Sequence, residues 1–148
     1  MNSMILLLSL FCLTGRTPAP DMQFCIDFSK HCKVAKHYGL WRGVLITQAA
    51  YESGFGKSDM ARYSNNYFGM IGMKFKSPSA CVKARCQLNH KPIYRASLKH
   101  LKRSRKGNSK AVYRYFKELA KHYAPNSPEG YARTLQAMYR KYGRGFDR

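Results

Sequence analysis

The sequence contains few acidic residues, and they are unevenly placed along the chain. Of its 148 residues, 27 are Lys or Arg and only 7 are Asp or Glu, which gives a formal net charge of +20. Residues 1–73 hold 7 basic and 4 acidic residues, whereas residues 74–148 hold 20 basic and 3 acidic residues. Such a positive field favours nucleic acid, anionic lipid or anionic cell-wall polymers, but charge alone does not choose among these partners.

The sequence also lacks an apolar run that is long enough to span a bilayer. The mostly apolar run Met4–Leu13 has ten residues, whereas a membrane-spanning helix needs about 20. This length fits the core of a secretory signal peptide, although no Lys or Arg precedes it and the following Pro residues suit a cleavage site poorly. We therefore expect residues 1–20 to be a signal peptide or N-terminal hydrophobic segment, with an N-terminal core helix as the alternative. We expect one domain over residues 21–148, export from the cell and no stable membrane insertion.

Zinc-site spacing is missing as well. No CxxC pair occurs among the five cysteines, so we expect no metal and no cofactor. Four cysteines remain if the N-terminal segment is removed, and an exported chain can then form two disulfides. Cys81–Cys86 is the easiest pair to join, while buried free thiols are the alternative.

Helical periodicity dominates what the sequence does contain. Trp41–Ser53 has no charge between Arg42 and Glu52 and is apolar around most of its circumference, which predicts a buried helix. Lys74–Pro92 is irregular and basic, and we predict a loop or a small hairpin there. The fold class that follows is mainly α (α+β), one domain with a small irregular or β element. Further helices are predicted over Phe24–Tyr38, Ser58–Tyr63, Ser109–Tyr123 and from Ser127 onwards.

Glu52 is the acidic residue with the most unusual setting. It shares a helical face with Gln48 and directly precedes the flexible Ser-Gly-Phe-Gly at residues 53–56. Burial of an unpaired carboxylate is unfavourable, and burial and the helix C-terminus both raise its pKa. A carboxylic acid that stays protonated in a cleft can act as a general acid. The alternative is a structural Glu52 that pairs with Lys57 or Arg62, or that is exposed at a frayed helix end.

The segment LITQAAYESGFGKSDMARYSNNYFGMIG, residues 45–72, resembles the signature of the bacterial glucosaminidase family, glycoside hydrolase family 73. That family includes autolysin catalytic domains and flagellar peptidoglycan hydrolases. HYAPNSPEGYARTL, residues 122–135, resembles a second family motif with a short insertion, and VAKHYGL, residues 34–40, fits the approach to the first motif. The resemblance covers roughly residues 24–142 and is weak over residues 74–120.

This resemblance implies a lysozyme-like fold and endo-β-N-acetylglucosaminidase activity on peptidoglycan glycan strands. Glu52 matches the general acid of the family, and Tyr123 matches a tyrosine that lines the cleft near the cleaved sugar. The other matched positions, which are expected to bind the substrate or shape its site, are Gln48, Asn66, Phe68 and Gly69. For Tyr123 and Phe68 a role in the core is the alternative, and for Asn66 a role as a turn former.

The second catalytic group is the main departure from the family pattern. Glycosidases usually use two carboxylates, but residues 60–117 contain no Asp or Glu. The 2-acetamido group of the substrate can act as the nucleophile instead, with Tyr123 helping to place it, and we favour this mechanism. Alternatively Asp59, or a water held by Tyr123, acts as the base. A catalytically inactive binder also fits the missing carboxylate.

Two other functions compete with this interpretation. A muramidase or lytic transglycosylase also places a Glu before a Ser at a helix end, but the Gly-Leu-Met-Gln-type segment of transglycosylases is missing. A basic binding module would use residues 98–110, LKHLKRSRKGNSK. No nucleic-acid-binding signature accompanies that run, so we expect no nucleic acid partner. We expect a bacteriolytic monomer that is secreted, periplasmic or bound to the cell wall, or one that a phage releases.

Overall fold

Seven α-helices follow one another along residues 18–148, the part of the chain that the computed structural model describes. No strand occurs within these residues, which confirms the mainly helical class, and the small central element is irregular. The N-terminal hydrophobic segment predicted over residues 1–20 lies outside the described residues, apart from its last three. The helices are α1 Pro20–Ser29, α2 Arg42–Ser53, α3 Asp59–Ser64, α4 Pro78–Leu88, α5 Pro92–Lys102, α6 Ser109–Tyr123 and α7 Pro128–Met138. A 3-10 segment, Lys30–Tyr38, follows α1, and a π-turn, Tyr139–Gly143, and a 3-10 turn, Arg144–Asp147, follow α7.

Helix α2 is the central helix of the fold, as its uncharged sequence predicts. Its residues 43–50 are all buried, and it contacts α1, α7 and the turns on either side of Gly143. At its C-terminal end Gly54, Phe55 and Gly56 all adopt a positive φ, so the chain turns sharply away. The Ser53 hydroxyl donates to the Ala49 carbonyl and accepts from the Gly56 amide, which fixes this turn. Glu52 is thereby held on the last turn of a rigid helix.

A distant carboxylate caps the N-terminal end of α2. The residue at the N-cap position, Trp41, supplies no side-chain hydrogen bond to the helix. Instead the Gly43 amide donates to Oδ1 of Asp147 at 2.9 Å, and the Tyr139 hydroxyl donates to Oδ2 at 2.8 Å. A side chain at position 43 would collide with the Gly143 carbonyl, so glycine permits this close approach. The C-terminal turns are therefore locked onto the start of α2.

Helices α6 and α7 form the other half of the core, with α5 against α6. The apolar stripe of α6 is buried at Ala111, Val112, Tyr115, Phe116, Leu119 and Ala120, as its helical spacing predicts. Asn108 caps α6 by accepting hydrogen bonds from the amides of residues 110 and 111. The packing of α6 against α7 places the end of α6 and the start of α7 beside Glu52.

The structure corrects two predictions for residues 74–92. The predicted hairpin is wrong, because Pro78–Leu88 forms α4 and Pro92 begins α5. Ser77 accepts a hydrogen bond from the Ala80 amide, so a Ser-Pro start opens this helix as it was expected to do at α7. The Cys81–Cys86 disulfide is also absent, since positions five apart on one helix point about 140° apart. All four described cysteines, Cys25, Cys32, Cys81 and Cys86, are buried free thiols.

Candidate active site

Glu52 is half-buried on the last turn of α2. Its Oε1 accepts a 2.7 Å hydrogen bond from the Tyr131 hydroxyl of α7. Burial raises the pKa of the Glu52 carboxyl, while the Tyr131 hydrogen bond and the Arg85 charge lower it; the pKa remains raised overall. The alternative pairing of Glu52 with Lys57 or Arg62 does not occur: Lys57 pairs with Asp21, and none of the four ion pairs within residues 18–148 includes Glu52 or Arg62. The carboxyl group is therefore partly shielded from water without a neighbouring cation at ion-pair distance among residues 18–148.

A chain of hydrogen bonds leads inwards from Glu52. Gln48, fully buried one turn earlier on α2, donates from Nε2 to the Tyr131 hydroxyl at 2.9 Å. The guanidinium of Arg85, fully buried on α4, donates from Nε to Oε1 of Gln48 at 2.9 Å. Burial and the negative charge of Glu52 raise the pKa of Tyr131 well above its ordinary value, so its hydroxyl keeps its proton. Four side chains from three helices thus form one connected polar chain.

Tyr123 lies at the end of α6, where it packs on the core and also borders a cavity. Its hydroxyl donates a short hydrogen bond to the Phe68 carbonyl, and burial raises its pKa above the ordinary value. Its ring centroid is 6.2 Å from that of Tyr131. The cavity, of about 490 Å³, is lined by Tyr51, Tyr123, Ala124, Pro125, Asn126, Ser127, Gly130 and Tyr131. Aromatic walls of this kind suit the apolar faces of sugar rings, and Tyr131 connects the cavity to Glu52.

The irregular segment between α3 and α4 forms the opposite side of Glu52. A Cβ placed on Gly69 would lie 3.4 Å from Oε2 of Glu52, so Gly69 borders this oxygen. Oε2 accepts no hydrogen bond from residues 18–148 and is not a buried atom, so it is open. Asn66 is buried and holds the segment in place through hydrogen bonds with Met70 and Met73. Phe68 is fully buried in the core. Asn66, Phe68 and Gln48 therefore shape the site from behind, with no exposed surface to offer a substrate.

Asp59, the predicted alternative base, is exposed in the first turn of α3. The groups that shift the pKa of Glu52 are Tyr131 and Arg85. The structure thus places Gln48, Tyr123 and Gly69 around Glu52 and leaves Asp59 as a surface residue.

Tyr131 and Arg85 are the site residues that sequence reasoning missed. Tyr131 falls in the apolar stripe of α7, where it resembles a core residue; its place in the motif at residues 122–135 is the signal that could have identified it. Arg85 lies on a segment for which the sequence predicts a loop or hairpin, so its place on the buried face of a helix could not be inferred. Read as a helix, α4 has its buried residues at 81, 82, 85 and 86, and an arginine in such a stripe is the signal that could have identified Arg85.

A second cavity, of about 860 Å³, lies at the other end of the molecule. It is lined by Arg105, Lys106, Gly107, Asn108, Ser109, Lys110, Arg144, Asp147 and Arg148. The four ion pairs found within residues 18–148 include none of its five cations. We refer to this cavity as the basic pocket. The basic pocket is therefore a concave surface on which part of the positive charge of residues 74–148 is concentrated.

Neither a metal site nor a membrane helix is found in the described part of the chain. Residues 18–148 contain no group of three or more His, Cys, Asp or Glu side chains that could hold a metal ion. None of the seven helices is long and apolar enough to cross a membrane.

A half-buried carboxyl group with a raised pKa is a candidate general acid of the kind that glycoside hydrolases use. A family model described as glucosaminidase, mannosyl-glycoprotein endo-beta-N-acetylglucosaminidase, matches residues 30–144. The chain belongs to this glucosaminidase family, whose members are glycoside hydrolases that act on peptidoglycan. No curated protein and no solved structure matches the chain significantly.

Proposed function

We propose that the protein is an endo-β-N-acetylglucosaminidase that cleaves the β-1,4 bond after N-acetylglucosamine in peptidoglycan, with Glu52 as the general acid. One observation carries this proposal: burial raises the pKa of a carboxyl group whose Oε2 lies beside Gly69, while Tyr131 holds the other oxygen. A protonated carboxyl group with one open oxygen can donate to a glycosidic oxygen.

In the proposed step, the Oε2 proton of Glu52 passes to the glycosidic oxygen as the bond from that oxygen to C1 breaks. The bonding electrons stay on the leaving oxygen, and Glu52 becomes a carboxylate. The Tyr131 hydroxyl then donates to a full negative charge, which is a stronger hydrogen bond than the one to a neutral acid. The carbonyl oxygen of the 2-acetamido group attacks C1 and forms a cyclic oxazolinium ion. Water then bonds to C1, the bond from C1 to the acetamido oxygen breaks, and the proton released by the water returns to the Glu52 carboxylate.

Tyr123 fits the role of orienting that acetamido group. Its hydroxyl hydrogen is committed to the Phe68 carbonyl, so the oxygen is left as an acceptor. An acetamido N–H is a donor that this oxygen can bind, and a hydroxyl that already donates is a better acceptor. We therefore assign Tyr123 the task of holding the acetamido N–H, which replaces the carboxylate that residues 60–117 lack.

Product analysis tests the bond specificity. Purified peptidoglycan is digested, and the new reducing ends are reduced and identified. The proposal predicts reducing-end N-acetylglucosamine. A reducing-end muramic sugar or an anhydromuramic product would instead identify a muramidase or a lytic transglycosylase.

The stereochemistry of the fresh product tests the second catalytic group. A protein nucleophile needs two carboxyl groups about 5–5.5 Å apart, and no other carboxyl group is among those that shift the pKa of Glu52. Acetamido participation predicts a retained anomer by proton NMR, inhibition by a thiazoline mimic of the cyclised intermediate, and an active Asp59→Asn variant. An inverted anomer with an inactive Asp59→Asn variant would support direct attack by water.

We further propose that the basic pocket binds anionic cell-wall polymers and that the protein acts on the wall outside the cytoplasm as a monomer. Five cations that have no acidic partner at ion-pair distance within residues 18–148 surround one cavity. Phosphodiester or carboxylate groups of a wall polymer supply the missing counter-charges. Peptidoglycan hydrolysis and wall binding would then use different ends of the molecule.

A further inference from the structure

Arg85 is a buried cation without an acidic partner. It is fully buried, and no carboxylate within residues 18–148 lies at ion-pair distance from it. Burial of an unpaired charge is unfavourable, and a well-packed apolar side chain is often at least as stabilising. The partners of Arg85 are all neutral: the side-chain oxygens of Gln48, Asn89 and Tyr115 and the rings of Phe68 and Tyr123. Its position thus needs a reason other than stability.

The direction of the hydrogen bonds supplies that reason. A guanidinium can only donate, so the side-chain oxygen of Gln48 must face Arg85 and its NH₂ group must face Tyr131. The Tyr131 hydroxyl accepts from this NH₂ group and therefore points its own hydrogen at Oε1 of Glu52. We propose that Arg85 is a positioning residue that sets the direction of this chain and thereby places the acid proton of Glu52 on Oε2. This inference rests on the proposed role of Glu52 as the acid.

The alternative direction would hide the proton. If the Gln48 amide were reversed, its oxygen would accept from Tyr131, whose oxygen could then accept a hydrogen bond from Oε1–H of Glu52. The proton would face the protein interior, away from Oε2 and the open side at Gly69. Arg85 excludes this arrangement, because it would place the NH₂ group of Gln48 against a cation that cannot accept a hydrogen bond.

The same chain stabilises the carboxylate that forms when Glu52 gives up its proton. The groups that face Glu52 are Tyr131 from α7, Tyr123 from α6 and Arg85 from α4. Of these, only Arg85 is charged at neutral pH, because tyrosine has an ordinary pKa of about 10 and burial raises the pKa of both tyrosines further. Its charge lowers the pKa of Glu52, against the effect of burial. A single buried cation therefore both directs the proton and balances the charge left behind.

Gln48→Glu is a sharp test, because it keeps the shape of Gln48 while it reverses the direction of the chain and adds one negative charge beside it. The new carboxylate pairs with Arg85 and accepts from Tyr131, which then has no hydrogen left for Glu52. We expect turnover to fall about tenfold or more with little change in KM. We also expect the alkaline limb of the pH–turnover profile to move to higher pH, because the Glu52 carboxylate loses a donor. Gln87→Glu adds the same charge to the exposed face of α4 and is the matched control.

Titration of Glu52 by carbon NMR separates this inference from the proposed catalytic role. The chain has three glutamates, Glu52, Glu118 and Glu129, so side-chain carboxyl signals of selectively labelled protein are few enough to assign. In Gln48→Glu and in Arg85→Met we expect Glu52 to titrate at higher pH than in the wild type, whatever the reaction catalysed. Arg85→Lys keeps the charge, so the Glu52 titration should return most of the way to the wild-type pH. Turnover should recover only in part.

Two results would overturn the inference. One is a folded Gln48→Glu variant whose Glu52 titration and alkaline limb match those of the wild type. The other is loss of activity in Gln48→Glu or Arg85→Met that a lowered melting temperature accounts for and that leaves the Glu52 titration unmoved, which would make the chain purely structural. If Arg85→Met fails to fold, the Gln48→Glu measurement decides alone.

Discussion

The two ends of helix α2 each meet a shielded carboxyl group, but in opposite settings. At the N-terminal end Asp147 accepts from the Gly43 amide, where the helix dipole favours negative charge. At the C-terminal end Glu52 sits where the dipole disfavours negative charge, with one oxygen held by Tyr131 and the other open. Burial raises the pKa of both groups, that of Asp147 to about 6.

These two acids differ in how far a ligand can reach their carboxyl oxygens. Asp147 is 5% exposed and both of its oxygens accept hydrogen bonds, so it holds the fold together. Glu52 is half-buried and keeps one oxygen free for a ligand. A raised pKa is therefore not by itself a sign of catalysis. A carboxyl oxygen that accepts no hydrogen bond from residues 18–148 is what distinguishes the proposed acid.

The largest effect is expected for Glu52→Gln. The amide keeps the shape and can still accept from Tyr131, but its NH₂ group is too weak an acid to transfer a proton to the leaving oxygen. We expect hydrolysis to fall by roughly a hundredfold or more, with a melting temperature close to that of the wild type. Release of reducing sugar from purified peptidoglycan measures this. A folded Gln variant with near wild-type turnover would remove Glu52 from the mechanism.

Tyr123→Phe, at the same end of α2 as Glu52, should lower turnover by a smaller factor. The ring still packs on the core, while the oxygen proposed to hold the acetamido group is lost. We expect turnover to fall about tenfold and stability to fall by only about 1 kcal/mol, the typical worth of one hydrogen bond. Turnover and unfolding free energy should be measured on one preparation. A loss of activity that merely follows the loss of folded protein would assign Tyr123 to the core.

At the N-terminal end of α2 we expect substitutions to lower stability and to leave turnover nearly unchanged. Asp147→Ala leaves the Gly43 amide and the Tyr139 hydroxyl without a partner, which costs about 1–3 kcal/mol of stability. Turnover of the folded fraction should change little. Asp147→Asn keeps an acceptor for Gly43 and is the matched control. Denaturant unfolding measures both variants, and a fully stable but inactive Asp147→Ala would contradict the division of roles.

The raised pKa of Asp147 also leads us to expect a pH dependence of stability. Its pKa rises from an ordinary 3.8 to about 6 on folding, so the folded state binds the proton more tightly. Its contribution to stability is therefore largest below about pH 4 and is lost as the pH rises to about 6, by at most about 3 kcal/mol. Asp147→Asn should remove this slope. An unchanged slope in the Asn variant would show that other groups cause it.

These contrasts also show which features the sequence reveals. Helices α2, α6 and α7 follow from local patterns: an uncharged stretch, an apolar stripe and a Ser-Pro start. Glu52 stands out because acidic residues are scarce and the motif around it is specific. Arg85 and Asp147 act on residues 37 and 104 positions away, and no local pattern records such contacts. Helix α4 was missed because its buried face consists of cysteines, a valine and an arginine, which give a weak apolar signal.

The smallest effect concerns the basic pocket. Replacing Arg105 and Lys110 by Glu changes its charge by four units and should weaken wall binding about tenfold at low salt. The difference should shrink in high salt, since exposed charges are screened within about 8 Å at physiological ionic strength. Lys76→Glu/Lys83→Glu, an equal charge change at exposed sites elsewhere, is the control. Co-sedimentation with purified walls measures binding, and equal weakening by both pairs would mean that net charge, not the pocket, binds the wall.

The pH dependence of kcat/KM for the wild-type protein on a soluble glycan fragment tests the central claim most directly. Its alkaline limb reports the pKa of the essential acid in the free enzyme. Because burial raises the pKa of Glu52, we predict that activity declines only above the pH at which an ordinary glutamate, with a pKa of about 4.3, has ionised. A limb at the ordinary glutamate value, or activity that rises through neutral pH, would contradict a protonated Glu52 as the acid.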